Sequence, residues 1–427
     1  MMQRFRRELG VAGSVVLGLG SILGTGVFVS LAVATGVAGP GVLPAVGIAA
    51  GLALCNGLSS AQLAAAHPVA GGTYAYGYRF LSPGLGFTAG WMFLTAKSAS
   101  AATAALGVAG YGMLAVGATP GGWPLVAGAL ITVVAVTAVV LAGLRRSNAV
   151  NAVIVTVTVA ALGAFVAMGL PEAARHAPAN LSPLLPAGWA SLAHASALVF
   201  VAFTGYGRIA TLGEEVKDPG RTIPRAIVAT LVVTASLYAA VAFVGVAAVG
   251  PASFAEAGGG AAPLEAAARV FAGPMLAGVM AIAAIVAMLG VLLNLVLGLS
   301  RVVVAMGRRR DLPPATARLN AAGATPTLAV AGVAVVIGGL TLLGSVETAW
   351  TFSAATVLIY YGLTNAAALR LPAEQRRFPR WVSWLGLTGC LSLAAFVPWA
   401  YLAATAGLIA LGLALRWVMR RATGAGG

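Results

Sequence analysis

Long apolar runs recur along this 427-residue chain, and short basic clusters separate them. A helix needs roughly 20 apolar residues to cross the hydrocarbon core of a bilayer. Charged residues make up only 8% of the chain, whereas soluble domains carry about 25%, so the chain lacks the polar surface of a water-soluble body. The pattern predicts an all-helical protein that crosses a membrane about twelve times.

The apolar runs set the boundaries of the expected membrane spans. Two of these runs, the last pair, are separated only by Pro398 and its neighbours. The predicted spans are residues 12–36, 41–66, 84–116, 123–143, 149–170, 192–213, 225–249, 274–306, 326–343, 346–369, 382–397 and 399–418.

The distribution of Lys and Arg predicts the orientation. With a cytoplasmic N-terminus, 20 of the 25 basic residues lie on the cytoplasmic side, two lie outside and three fall within spans. Because cytoplasmic loops carry an excess of Lys and Arg, we predict a multi-pass protein of the cytoplasmic (inner) membrane with both termini cytoplasmic. Topology also explains the net charge of +15, so nucleic acid is not an expected partner.

Three smaller features fit this picture. Residues 67–82 are rich in Gly and Tyr and too polar to span, which predicts a cytoplasmic loop with a short interfacial helix. Cys55 and Cys390 fall in apolar runs without metal-ligand spacing, so neither a disulfide framework nor a metal site is expected. The first apolar run lacks a cleavage signal, which predicts a retained span.

Two spans contain interruptions at corresponding positions. Residues 18–28 of span 1 read GLGSILGTGVF, and residues 200–207 of span 6 read FVAFTGYG. Each glycine costs about 1 kcal/mol in a helix relative to alanine, so the cluster in span 1 predicts an unwound stretch. Close helix packing explains either interruption alone. A pair of interruptions five spans apart is typical of a transporter site built on inverted repeats, where unwound backbone binds the solute.

These stretches resemble motifs of the amino acid–polyamine–organocation superfamily. The matching segments are residues 20–28, 203–206, 214–219, 223–225 and 300–313. The resemblance covers nearly the whole chain and implies one transporter domain over residues 1–427 that works by alternating access. It implies a five-plus-five inverted repeat, with repeats at about 12–170 and 192–369, and two extra C-terminal helices at about 382–418.

The resemblance also implies a solute site at the two breaks. Thr25 and Gly26 would offer donors to a substrate carboxylate, at a half-helix N-terminus where the helix dipole is positive. Four backbone carbonyls would accept hydrogen bonds from the ammonium group of the substrate, and Phe203 would act as an aromatic lid. Those carbonyls belong to Ser21, Ile22, Ala202 and Thr204. The predicted substrate-binding residues are Ser21, Ile22, Gly24, Thr25, Gly26, Ala202, Phe203 and Thr204.

Lys97 lies well inside span 3, where a lysine costs about 2.5–3.5 kcal/mol on insertion scales. No acidic residue lies at its depth. Lys97 either loses its charge and carries a coupling proton or stays charged and contacts an anionic group of the substrate. The structural alternative is a side chain that reaches an interface. We favour the proton carrier.

Thr158 is a second candidate for coupling. By resemblance, it occupies the helix-5 position where proton-coupled relatives often carry a lysine that stands in for a sodium ion. The coupling ion is therefore a proton or sodium.

Glu214, Glu215 and Arg225 follow span 6 on the predicted cytoplasmic side. They form either an ion-pair latch at the inner gate or a solvated loop, since surface pairs contribute little individually.

These observations predict a secondary transporter that imports small neutral L-amino acids together with protons. A charged Lys97 would disfavour cationic side chains. The alternatives are an exchanger or transporter of anionic amino acids or organic acids, and a solute sensor that does not transport. The spans contain neither paired carboxylates nor a Cys/His set, and the chain has no phosphate-binding loop motif, so an enzyme, an ATP-driven pump or a cofactor is not expected.

Overall fold

A computed structural model describes residues 10–67, 71–143, 148–210, 216–320 and 325–422. Secondary structure in these ranges is almost entirely helical, as the apolar runs predict. The helices are α1 Val11–Ile22, α2 Leu31–Ala38, α3 Val42–Ala66, α4 Thr73–Phe80, α5 Pro83–Ala115, α6 Gly122–Leu141, α7 Asn148–Asn180, α8 Gly188–Phe203, α9 Gly207–Ala210, α10 Pro219–Val249, α11 Pro251–Glu256, α12 Pro263–Arg308, α13 Thr327–Thr341, α14 Val346–Leu369, α15 Arg380–Ala394 and α16 Trp399–Ala422.

Nine helical stretches in the described ranges are long and apolar enough to cross a bilayer. One of them, Gly26–Ala66, turns at Gly39, whose φ of +58° is easily adopted only by glycine. This turn separates the end of span 1 from span 2. With the shorter helices α1, α13 and α15, the stretches account for the twelve predicted spans.

The helices differ from the predicted spans mainly at two ends. α7 continues through Pro171 to Asn180, about ten residues beyond the predicted end of span 5, because the polar segment after the apolar run stays helical. α12 begins at Pro263, but Gly273 is non-helical with φ +79°, so an uninterrupted helix begins at Pro274, where span 8 is predicted to begin. The predicted short helix in the loop after span 2 is α4.

Helix α5 lies at the centre of the bundle and packs against α12 and α14. Its buried face is lined with alanine, which lets neighbouring helices approach closely. Helix α16, in contrast, lies at the periphery and is mostly exposed. The core position of α5 places Lys97 in the middle of the protein.

Candidate functional site

The break in span 1 is narrower than the glycine cluster. Helix α1 ends at Ile22, Leu23 has an extended backbone with ψ 100°, and a π-helical segment follows at Gly26–Ser30. The Gly24 carbonyl accepts from the amides of Val27 and Phe28, both at 3.1 Å. The chain thus leaves and re-enters helical geometry at Leu23–Gly24, inside the predicted interruption.

The break in span 6 is a change of helix type. Helix α8 ends at Phe203, a 3₁₀ turn occupies Thr204–Tyr206, and α9 continues the span. Gly205 lies directly against the Ser21 carbonyl, leaving no space for a side chain. The two predicted breaks therefore contact each other in the core.

A tyrosine hydroxyl joins the two breaks. Tyr238 on α10 donates to the Ile22 carbonyl at 3.1 Å and to the Ala202 carbonyl at 3.3 Å. Tyr361 on α14 donates to the Thr204 carbonyl at 3.2 Å. Neither tyrosine is among the predicted site residues, although a phenol within an apolar span needs a polar partner.

Lys97 contacts the break in span 6. Its Nζ donates to the Thr204 hydroxyl at 2.6 Å, and that hydroxyl donates to the Val201 carbonyl at 2.6 Å. The Lys97 side chain is buried, and no carboxylate in the described ranges pairs with it. The Lys97 side-chain nitrogen therefore lies directly beside the segment whose backbone the resemblance assigns to the solute.

The other predicted residues differ in burial and in hydrogen bonding. Thr25 and Thr158 are buried, and neither hydroxyl has a hydrogen-bond partner in the described part of the chain. Phe203 is fully buried, with its ring centroid 5.1 Å from that of Tyr238. Arg225 is exposed. Glu214 and Glu215 lie outside the described residues, so the predicted latch is untested.

A cavity of about 640 Å³ lies at the α2 end of span 1. It is lined by residues such as Ala32 and Thr35, with Glu256 and Glu347 as its charged residues. The break residues do not line it, and Thr25 is only 3% exposed. The surrounding protein therefore separates the two breaks from this cavity. Across the described ranges, no group of three His, Cys, Asp or Glu is placed to hold a metal ion.

Comparison with known proteins identifies the family. Residues 9–415 match the model of a family described as amino acid permease. The chain belongs to the amino acid permease family. This permease is similar to an uncharacterized transporter of Mycobacterium tuberculosis, with 42% identity over 97% of this chain and 92% of the relative.

More distant relatives have more specific names. The branched-chain amino acid permease BcaP of Bacillus subtilis is 28% identical over 76% of this chain and 72% of its own length. The methylthioribose transporter of the same bacterium is 29% identical over 75% of this chain and 71% of its own length. These matches confirm the superfamily resemblance and the fold class, and they make the permease a multi-pass transport protein of a cell membrane.

The close contact at Gly26 predicts a sensitive position. A Cβ there would lie 2.5 Å from the Tyr238 hydroxyl and 2.9 Å from the Ala202 Cβ. We expect Gly26→Ala to lower stability by about 1–3 kcal/mol, because overpacking forces the two breaks apart. The apparent melting temperature in detergent measures this effect.

Gly47→Ala is the matched control, since no atom lies within 4 Å of a Cβ built at that helical position. It should leave the melting temperature unchanged or raise it slightly, because alanine favours the helix. Equal melting temperatures for the two variants would contradict the tight packing at Gly26.

Proposed function

We propose that the permease imports small neutral L-amino acids across the cytoplasmic membrane by alternating access, coupled to protons through Lys97. The observation that carries this proposal is the contact between two interrupted helices in the core, with Thr25 and Gly26 at the start of the second half of span 1. A half-helix N-terminus attracts a carboxylate, and the carbonyls that end the preceding half-helix attract an ammonium group.

Membership of the family supports this assignment of the site. The proposal retains the substrate-binding set predicted from the sequence and the division into repeats at about 12–170 and 192–369. It also places both termini in the cytoplasm, as the 20-to-2 distribution of basic residues indicates. The name of the relative BcaP is consistent with a neutral apolar substrate.

The buried Lys97 argues against cationic substrates. Its Nζ lies within hydrogen-bonding distance of Thr204, so a lysine or arginine side chain entering there would meet a like charge in a medium that screens poorly. The same charge favours one alternative, an anionic amino acid or organic acid. Thr158 remains the second coupling candidate, and Arg225 with Glu214 and Glu215 remains the proposed inner latch.

Ligand-dependent stability tests the solute class. We expect neutral L-amino acids such as L-valine or L-alanine to raise the apparent melting temperature of the purified protein, because a ligand of the folded state stabilises it by mass action. L-arginine should produce a smaller shift at the same concentration. A larger shift with L-arginine would overturn the neutral preference, and a shift only with organic acids would favour the anionic alternative.

Concentrative flux separates a transporter from a sensor. Proteoliposomes that contain the purified protein should accumulate the amino acid that gives the largest thermal shift. A thermal shift without any flux or exchange would contradict transport and favour the sensor.

A further inference from the structure

The carbonyl groups at the two breaks are occupied by weak donors. The Tyr238 hydroxyl shares one proton between the Ile22 and Ala202 carbonyls, at 3.1 and 3.3 Å. Both distances exceed the usual 2.7–2.8 Å of an O–H···O bond. The Tyr361 bond to the Thr204 carbonyl is also long, at 3.2 Å.

Long bonds are not a general feature of buried hydroxyls in this protein. Tyr111 on α5 donates to the Phe28 carbonyl, one turn beyond the break, at 2.7 Å. The Lys97 ammonium reaches the Thr204 hydroxyl at 2.6 Å. The weak bonds are therefore found at the carbonyls that the proposed function assigns to an ammonium group.

The Tyr238 hydroxyl occupies a confined space between the two spans. Tyr238 is fully buried, and its hydroxyl lies 2.5 Å from where a Cβ of residue 26 would stand. The Tyr238 ring packs against the Phe203 ring. A solute ammonium cannot reach both carbonyls in this arrangement unless the hydroxyl moves away.

We propose that Tyr238 is a specificity-determining placeholder, whose hydroxyl links the two broken helices in the empty site and is displaced by the ammonium group of the solute. This inference rests on the proposed function. An ammonium has three donors and makes charge-assisted bonds, so it can give each carbonyl its own short bond. A neutral phenol has a single proton to share. A solute without an ammonium group leaves the two carbonyls bonded to the phenol. It therefore gains no hydrogen bond from them.

The first test compares two solutes of equal size on the wild-type protein. L-Valine carries the ammonium, whereas L-2-hydroxy-3-methylbutanoate carries a hydroxyl in its place. We expect L-valine to bind at least about tenfold more tightly in isothermal titration, because hydrogen bonds to charged groups contribute more than neutral ones. Equal affinity for the two solutes would overturn the placeholder and leave a permease that recognises the carboxylate and side chain.

The second test removes the placeholder with Tyr238→Phe. The variant should have a lower melting temperature without ligand and bind L-valine about two- to tenfold more tightly, because the solute no longer displaces a bonded hydroxyl. Tyr111→Phe is the matched control. It removes a hydroxyl from another span 1 carbonyl, so it should lower the melting temperature without changing the affinity for L-valine.

The outcomes separate the inference from the proposed function. Unchanged or weaker binding of L-valine by Tyr238→Phe would overturn the placeholder, while binding by the wild-type protein would leave the proposed function intact. If the wild-type protein binds neither solute, the proposed function fails, and the inference fails with it. Should Tyr238→Phe not fold, equal affinity of the wild-type protein for the two solutes would still overturn the placeholder.

Discussion

Replacing Lys97 with methionine is expected to abolish proton-driven accumulation of the solute. Protons that enter down a gradient of one pH unit release about 1.4 kcal/mol. With one proton per solute, this free energy is enough for about tenfold accumulation. The buried ammonium bonds Thr204 at the break in span 6, so gain or loss of its proton acts directly on the backbone of the proposed site. Methionine carries no proton, and accumulation in proteoliposomes should fall to the equilibrium level.

Two further measurements show whether the loss is specific to coupling. Lys97→Met should still exchange labelled for unlabelled solute, because the proposed binding groups at the breaks are mostly backbone groups. Its melting temperature should be equal to or above that of the wild type, since an apolar side chain of similar size replaces a buried charge. Lys217→Met alters the only other lysine, which is exposed, and should accumulate solute normally. Undiminished pH-dependent accumulation by Lys97→Met would show that Lys97 is not the proton carrier.

The fold and the positions of the breaks were predictable because each has a local cause. Hydrocarbon thickness sets the length of an apolar run, and glycine destabilises a helix wherever it occurs. Within the cluster of four glycines, however, the backbone leaves helical geometry only at Leu23–Gly24. Gly18 and Gly20 stay helical because α1 packs closely there, Gly18 against Ile209 and Gly20 against Asn151.

The contacts of the site were not predictable, because they join residues far apart in the chain. A lysine inside span 3 indicates a buried partner but does not identify Thr204, which lies 107 residues away. Tyr238 belongs to an apolar run whose pattern indicates only a span. Its position between two broken helices depends on how α10 packs against α1, and one sequence does not specify that packing.

Another contact between residues far apart in the chain lies at the end of the bundle that contains α4. Asp311 follows α12 and is fully buried. It accepts from Arg416 of α16 at 2.9 Å, from Tyr74 at 2.8 Å and from Tyr78. Burial first, and then the adjacent carboxylate, raises the pKa of Tyr78 to about 12, so the phenol stays protonated and donates. Three elements distant in sequence thus meet at one carboxylate.

This contact predicts the largest loss of stability from a single substitution. Arg416→Met leaves Asp311 as a buried carboxylate without its principal cation, which costs about 3–5 kcal/mol when a buried pair is broken. For a protein of this size, we expect the apparent melting temperature in detergent to fall by roughly 3–6 °C. Arg421→Met is the control, because Arg421 is exposed and stacks on Trp417, with its guanidinium carbon 3.7 Å from the ring centroid. It should change stability by no more than about 1 kcal/mol.

A double-mutant cycle attributes the loss to the pair. Asp311→Asn removes the charge that Arg416 neutralises, so Arg416→Met added to Asp311→Asn should destabilise much less than Arg416→Met alone. Additive losses would mean that Arg416 stabilises the protein through its hydrogen bond to the Tyr78 hydroxyl or its packing over Phe87 rather than through Asp311. Helix α16 lies at the periphery with little other buried surface, so a confirmed coupling would identify Asp311 as the residue that holds the last helix to the bundle.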